Sequence, residues 1–198
     1  MALFASQMAA AGYGLLQSPM FEEIGVFQRV GEGTDVVRKE MYEFTDRGDR
    51  RMALRPEGTA SVVRAYNQHR PATPWKVWYA APSFRYERKQ AGRYRQHHQL
   101  GIEALGSDDP DLDVEVIVLL ADFYRSLGLQ QVELSINSMG SSADRDAYVD
   151  ALRTWLQQRR DQLDPADRDK IADNPMRVLD SKRESTRTAV IDAPRIVD

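Results

Sequence analysis

Hydrophobic and polar positions along this chain change period several times, and each change predicts an element. Phe4, Met8, Ala11 and Leu15 fall on one helical stripe, so residues 2–12 read as a short amphipathic helix ended by Gly12 and Gly14. Residues 15–18 then read as extended, the state that Pro19 favours in the residue before it. Residues 20–30 are predicted helical, Gly31 to Gly33 break the pattern, and residues 34–39 are expected to add a further turn or two. Residues 40–45 and 51–54 form a hairpin pattern around Arg47-Gly48-Asp49. Directly after it comes Arg55-Pro56-Glu57-Gly58-Thr59, then an amphipathic helix over residues 60–68 with Val62, Val63 and Tyr66 as its expected buried positions.

Residues 75–106 carry the most informative alternation. The first extended run, about 76–86, holds the aromatic and β-branched residues that suit a strand. Pro82 inside it lacks an N–H, which predicts a bulge or an edge there. A basic turn over 87–94 follows, with Arg88, Lys89, Gly92 and Arg93. In the second run His98, Leu100, Ile102 and Ala104 share one face, and His97, Gln99, Gly101 and Glu103 share the other. The first is an ordinary core face. The second has two readings, the solvent side of a surface hairpin or the floor of a cleft lined by Ser83, Arg85, Glu87, Gln99 and Glu103. The cleft requires an even register, which would gather these residues on one side. A guanidinium there suits phosphate or carboxylate; a carboxylate and an amide suit an amine or imidazole.

The remaining pattern is scaffolding. Pro110 opens a helix striped by Leu112, Val116, Leu119, Leu120, Phe123 and Leu127 and closed by Gly128. Val132, Leu134 and Ile136 alternate as a strand. Ser141 and Asp144 form a variant capping box before a helix striped by Tyr148, Ala151, Leu152, Trp155 and Leu156. The Arg and Asp residues of 153–173 read as a solvated face, the helical pattern fades at Asn174-Pro175, and residues 191–198 match no element.

Composition narrows the function classes. With 198 residues, 42% hydrophobic and 29% charged, the chain suits one folded domain rather than a disordered segment. A net charge of −3 gives no global basic field, so any nucleic-acid contact must rest on a local patch such as residues 85–95. The absence of cysteine removes disulfides and thiolate metal sites, and His69, His97 and His98 lack metal-ligand spacing. No protein metal site is expected. The N-terminal stretch lacks the basic residues of a secretory signal, and the most apolar run is too short to span a bilayer, so a cytoplasmic location is the default.

Within the alternating hairpin, FRYERKQAGRYRQHHQLGIEALG closely resembles motif 2 of the class II aminoacyl-tRNA synthetases, in the form found in the histidyl-tRNA synthetase family. Three further segments match that family in the same order: GEGTDVVRKEMYEF, LRPEGTASVVRAY and NPMRVLDSK. The resemblance implies an α+β fold, an antiparallel β-sheet flanked by helices, of the class II catalytic-core type but incomplete. Residues 2–30 would correspond to motif 1, which implies a homodimer, and residues 75–106 to motif 2. It implies ATP-dependent activation of L-histidine and transfer to the histidine tRNA, with ATP arriving as its Mg²⁺ complex. Arg85 would bridge the substrate carboxylate and the α-phosphate as the catalytic group. Glu87 would face the adenine side, and Arg93 would reach the outer phosphates. Glu57, Gly58, Thr59 and Gln99 would surround the α-amino group, and Glu103 would meet the imidazole. The family's inserted subdomain, second histidine-binding loop, motif 3 helix and anticodon-binding domain find no match here, so a front half of a catalytic domain is expected, with little or no activity alone. The alternative is a non-catalytic regulatory paralogue that senses histidine or holds a partner enzyme; the intact ATP set argues against it.

Overall fold

The computed structural model describes residues 1–31, 40–88, 90–138 and 140–196. Length led us to expect one core, but the chain separates into two compact units, Met1–Val132 and Glu133–Asp198. Each has apolar stripes that close on themselves. In the second unit Leu152, Leu156, Leu163, Ile171 and Val178 form a buried cluster of their own.

The first unit runs α1 (Ala2–Ala10), β1 (Gly14–Leu15), β2 (Phe21–Glu23), α2 (Ile24–Gly31), β3 (Glu43–Thr45), β4 (Arg51–Leu54), α3 (Thr59–His69), β5 (Trp75–Phe84), β6 (Gln96–Leu105) and α4 (Pro110–Ser126). Two sheets result. One has the order β1-β5-β6, with β1 parallel to β5 and β5 antiparallel to β6; the other is antiparallel in the order β2-β4-β3. Phe4 and Met8 of α1 and Leu119 and Phe123 of α4 pack against Trp78, Ile102 and Ala104 on one face of the first sheet. Val62 of α3 packs on the opposite face, with Val77 and Tyr79. Helix α3 also meets the second sheet, where Ala60 joins Ile24, Phe27 and Ala53. A 2.6 Å ion pair from Arg64 to the buried Glu22 ties the same helix to β2. Residues 34–39, expected helical, lie outside the described residues.

Several expectations need correction. Residues 21–23 are strand rather than helix, because Phe21, Glu22 and Glu23 pair with Leu54, Ala53 and Met52 before α2 begins. Pairing to a partner strand overrides local helical periodicity there. Of the expected α3 positions Val62 is buried, but Val63 and Tyr66 are half-buried and Ala65 takes the inner place. Pro82 makes no bulge, since the β5–β6 register runs unbroken from Trp75↔Leu105 to Phe84↔Gln96. Its missing N–H points, like the N–H of Phe84, away from β6. On that side β1 reaches only Val77 and Trp78, so Pro82 sits at a local edge.

Val132, Leu134 and Ile136 form no strand. They are 51%, 57% and 72% exposed, because alternation makes a strand only where a partner supplies the ladder. Helix α4 likewise leaves Val114, Val118 and Leu120 exposed while Leu119 and Phe123 pack inward.

In the second unit the Ser141–Asp144 capping box is present in full and opens α5 (Ser142–Gln158). Four short helices follow: α6 (Pro165–Arg168), α7 (Lys170–Asp173), α8 (Met176–Leu179) and α9 (Glu184–Ala189). The 153–173 segment is not simply a solvated face, since Asp167 within it is fully buried.

Candidate functional site

The β5–β6 register decides where the candidate residues lie. Tyr79 pairs with Gly101, Ala81 with Gln99, Val77 with Glu103 and Ser83 with His97, so odd-numbered residues of both strands share one face. The pairing continues beyond the strands, with the Arg85 N–H donating to the Arg95 carbonyl at 2.9 Å. The even register required for a shared wall is therefore present, and the face is the one that α3 covers. That arrangement sets the hairpin's polar side against the Arg55–Thr59 junction rather than leaving it wholly to solvent.

Arg55 fastens the junction. It is 5% exposed, and its guanidinium donates to the Pro82, Ser18 and Pro19 carbonyls at 2.7, 2.9 and 3.2 Å and to Ser18 Oγ at 3.0 Å. Its own carbonyl accepts from the Phe84 N–H at 2.9 Å. Burial lowers the guanidinium pKa. Three separate segments, residues 18–20, residues 55–58 and the end of β5, are thus joined at one side chain. Next along the chain, the Pro56 carbonyl accepts from Arg85 Nε at 2.9 Å. That bond leaves the two terminal nitrogens of Arg85 with no hydrogen-bond partner among the described residues.

Around Glu103 the groups are close. Thr59 Oγ1 donates to Glu103 Oε1 at 2.7 Å, and the Tyr79 hydroxyl lies 3.4 Å from the same oxygen. Burial pushes the Glu103 carboxyl pKa up; the Thr59 and Tyr79 hydrogen bonds pull against that, and the charge of nearby Glu57 adds to it. Burial chiefly, helped by the Glu103 charge, raises Tyr79 to about 12, so the phenol stays protonated and donates. Gln99 lies between Glu103 and Arg85 on this face, and its buried Oε1 has no hydrogen-bond partner among the described residues. An unpaired buried acceptor is costly, and an N–H donor brought by a ligand would satisfy it. Burial and then the Arg85 charge lower the His97 pKa.

The turn differs in character. Arg93 donates to Glu87 at 3.3 Å, with 61% of the arginine side chain exposed, so these two expected nucleotide contacts are paired with each other here. An exposed pair of this kind is worth about 0–1 kcal/mol and yields readily to an incoming anion. Arg95 stacks on Tyr86 at 3.7 Å and stiffens the base of the turn.

The sequence reading therefore named Glu57, Gly58, Thr59, Arg85, Gln99 and Glu103 at or beside one face. It missed Tyr79 and Arg55. Tyr79 had the right parity to join the face, but only a known register reveals it. Arg55 carried no signal, because its partners are backbone carbonyls distant in sequence. Cavities of about 750, 530 and 690 Å³ are lined by second-unit residues and do not border these groups. In the first of them Arg153 is paired with Asp150 and Arg168 donates to two carbonyls, so it offers no convergent chemistry comparable to the β5–β6 face. Among the described residues no group of His, Asp and Glu side chains could hold a metal ion.

Comparison with known proteins agrees with this arrangement. The family described as Histidyl-tRNA synthetase matches residues 1–172. A histidine–tRNA ligase of Synechocystis sp. is 50% identical across 100% of this chain and 45% of its own length. One of Parasynechococcus marenigrum is 52% identical across 95% of the chain and 44% of its own. The chain thus spans under half the length of these relatives. Among solved structures, apo histidyl-tRNA synthetase of S. aureus superposes with a TM-score of 0.71 at 34% identity, over 98% of this chain and 44% of that one. A pyrrolysyl-tRNA synthetase of Desulfitobacterium hafniense shares the fold, with a TM-score of 0.59 at 12% identity over 70% of this chain and 49% of that one. Motif order, hairpin register and these matches together establish that the α+β first unit has the class II synthetase catalytic-core architecture and that the chain belongs to the histidyl-tRNA synthetase family.

Proposed function

We propose that these residues form part of the active site of a histidine–tRNA ligase. A carboxylate oxygen of L-histidine attacks the α-phosphorus of ATP; the new P–O bond forms as the bond to the β-phosphate breaks. Histidyl-adenylate remains and pyrophosphate leaves with Mg²⁺. A hydroxyl of the terminal ribose of the histidine tRNA then takes the acyl group and AMP departs. Such chemistry depends on placing two anions together and neutralising charge at phosphorus.

Arg85 suits that task. Its Nε is held by the Pro56 carbonyl, so its terminal nitrogens are aimed without further ordering and can bridge the substrate carboxylate and the α-phosphate. Glu57, Thr59 and Gln99 take the α-ammonium beside Gly58, and Glu103 takes the imidazole. Glu87 and Arg93 exchange their mutual contact for the adenine side and the outer phosphates. The observation that carries this reading is the shared face: a carbonyl-anchored guanidinium, an unpaired buried amide oxygen and a carboxylate along one register of β5 and β6. Homodimerisation through residues 2–30 belongs to the same proposal, as does a cytoplasmic site of action; no described helix is long and apolar enough to cross a membrane.

The test is histidine-dependent ATP–pyrophosphate exchange by the natural full-length polypeptide that contains these residues. Arg85→Ala should lower the exchange rate by about 100-fold or more, the usual consequence of losing one preorganised charge-stabilising group. Histidine binding without exchange in the wild type would instead favour a regulatory paralogue, and an Arg85→Ala variant of normal rate would remove Arg85 from the reaction.

A further inference from the structure

Tyr79 plays no part in the assignment above, yet two glycines close on its ring. A Cβ placed on Gly58 would lie 2.2 Å from Tyr79 Cζ, and a Cβ placed on Gly101 would also lie 2.2 Å from that atom. Neither glycine is there for its backbone: Gly58 has φ −92°, and Gly101 is an ordinary strand residue. Both are required for space. One comes from the entrance of α3 and the other from β6, so together they open a slot into which the phenol ring fits, 4% exposed.

The slot aims the hydroxyl. It reaches Glu103 Oε1 at 3.4 Å, where Thr59 already donates at 2.7 Å. Two donors on one carboxylate oxygen fix the plane of the carboxylate and occupy Oε1. Among the described residues Oε2 has no hydrogen-bond donor, so it remains as an acceptor of fixed direction.

We propose that Tyr79, seated by Gly58 and Gly101, is a positioning residue that locks Glu103 so that its second oxygen selects amino acids whose side-chain ring carries an N–H donor. This rests on the functional reading above. A bound ring of the same size without an N–H would cover that acceptor and leave it unpaired, which is how a polar pocket rejects an isostere. The charged and titratable groups facing Glu103 are Glu57 from the α3 entrance and Tyr79 from β5, with the Thr59 hydroxyl beside them. Removing the phenol hydroxyl takes away a bond that favours the ionised carboxylate, so Glu103 should then hold its proton to higher pH.

Tyr79→Phe in the natural full-length polypeptide tests this, using pyrophosphate exchange with L-histidine and with β-(2-thienyl)alanine, a ring isostere lacking N–H. The KM for histidine should rise about tenfold, as for loss of one hydrogen bond to a charged group. The kcat and the KM for ATP should stay within about twofold, the mark of lost ground-state binding. Preference for histidine over the isostere should fall by the same factor as the KM rises. The acid limb of the histidine KM profile should move to higher pH, which general loosening of the fold would not produce. Gly101→Ala, which keeps the hydroxyl but fills the slot, should reproduce the KM effect. An unchanged histidine KM in Tyr79→Phe overturns the inference. A wild type that exchanges no pyrophosphate overturns the functional reading instead, and histidine calorimetry then decides on Tyr79. Weaker binding by the phenylalanine variant upholds its role; equal affinity, or none in either protein, ends it.

Discussion

Replacing Asp167 by asparagine should destabilise the second unit by about 2–3 kcal/mol at pH 7, and the coordinates give the reasons. The carboxylate is fully buried, near the end of α6. Its Oδ1 accepts from Lys170 Nζ at 2.6 Å and Arg183 Nη1 at 2.8 Å; its Oδ2 accepts from Ser181 Oγ at 2.5 Å and Thr186 Oγ1 at 2.9 Å. Burial alone would push the carboxyl up. The hydrogen bonds from Lys170, Ser181 and Thr186 and the Lys170 charge outweigh it and bring the pKa down to about 2, from an ordinary 3.8. A pKa depressed by folding means stability that is present above the unfolded value and is lost as pH falls through the folded one. The displacement corresponds to about 2 kcal/mol.

Asparagine fills the same volume but removes the charge and turns an NH₂ toward existing donors. Lys170 and Arg183 are 37% and 44% exposed and return to water, so no buried cation is stranded and the loss stays below that of a broken buried pair. The assay is urea unfolding of the chain followed by circular dichroism, at pH 7 and again near pH 2.5. The stability difference between wild type and Asp167→Asn should shrink on acidification, because below its ordinary pKa of 3.8 the unfolded wild-type carboxyl takes up a proton that the folded one resists. A variant within about 0.5 kcal/mol of wild type at pH 7, the range of ordinary surface substitutions, would refute the reasoning. So would a difference that widens in acid.

Two further outcomes follow from buried or terminal hydrogen bonds. Arg55→Lys keeps the charge but cannot span the Pro82, Ser18 and Pro19 carbonyls together; it should cost about 2 kcal/mol through lost charge-assisted hydrogen bonds at this part-buried junction, measured by the same denaturation. Ser141→Ala removes the side-chain acceptor for the Asp144 N–H and one half of the capping box, and should cost about 1 kcal/mol in the second unit's unfolding midpoint.

Local chemistry made much of this protein legible. Helices α1, α3, α4 and α5 lie where apolar spacing and caps place them, since a stripe, a Pro at the first turn or a Ser–Asp box acts within a few residues. The same holds for the β3–β4 hairpin around Gly48. The family was legible for a different reason: motif 2 and its companions are chemically specific strings, and four of them in order point to it.

What failed did so where a distant partner decides. Residues 21–23 look helical alone and become strand because β4 lies beside them. Val132, Leu134 and Ile136 look like a strand and have no ladder to join. Asp167 sits in a charge-rich run that reads as solvated, yet Ser181 from the connection after α8 and Thr186 from α9 converge on it and make it an interior hub. Periodic elements, motif order and the chemistry available to the β5–β6 hairpin can each be read within a single segment. The even register, the packing of Arg55 and Tyr79 against the candidate residues and the presence of two cores come only from folding, because register, burial and carbonyl partners are relations between segments and no single segment encodes them.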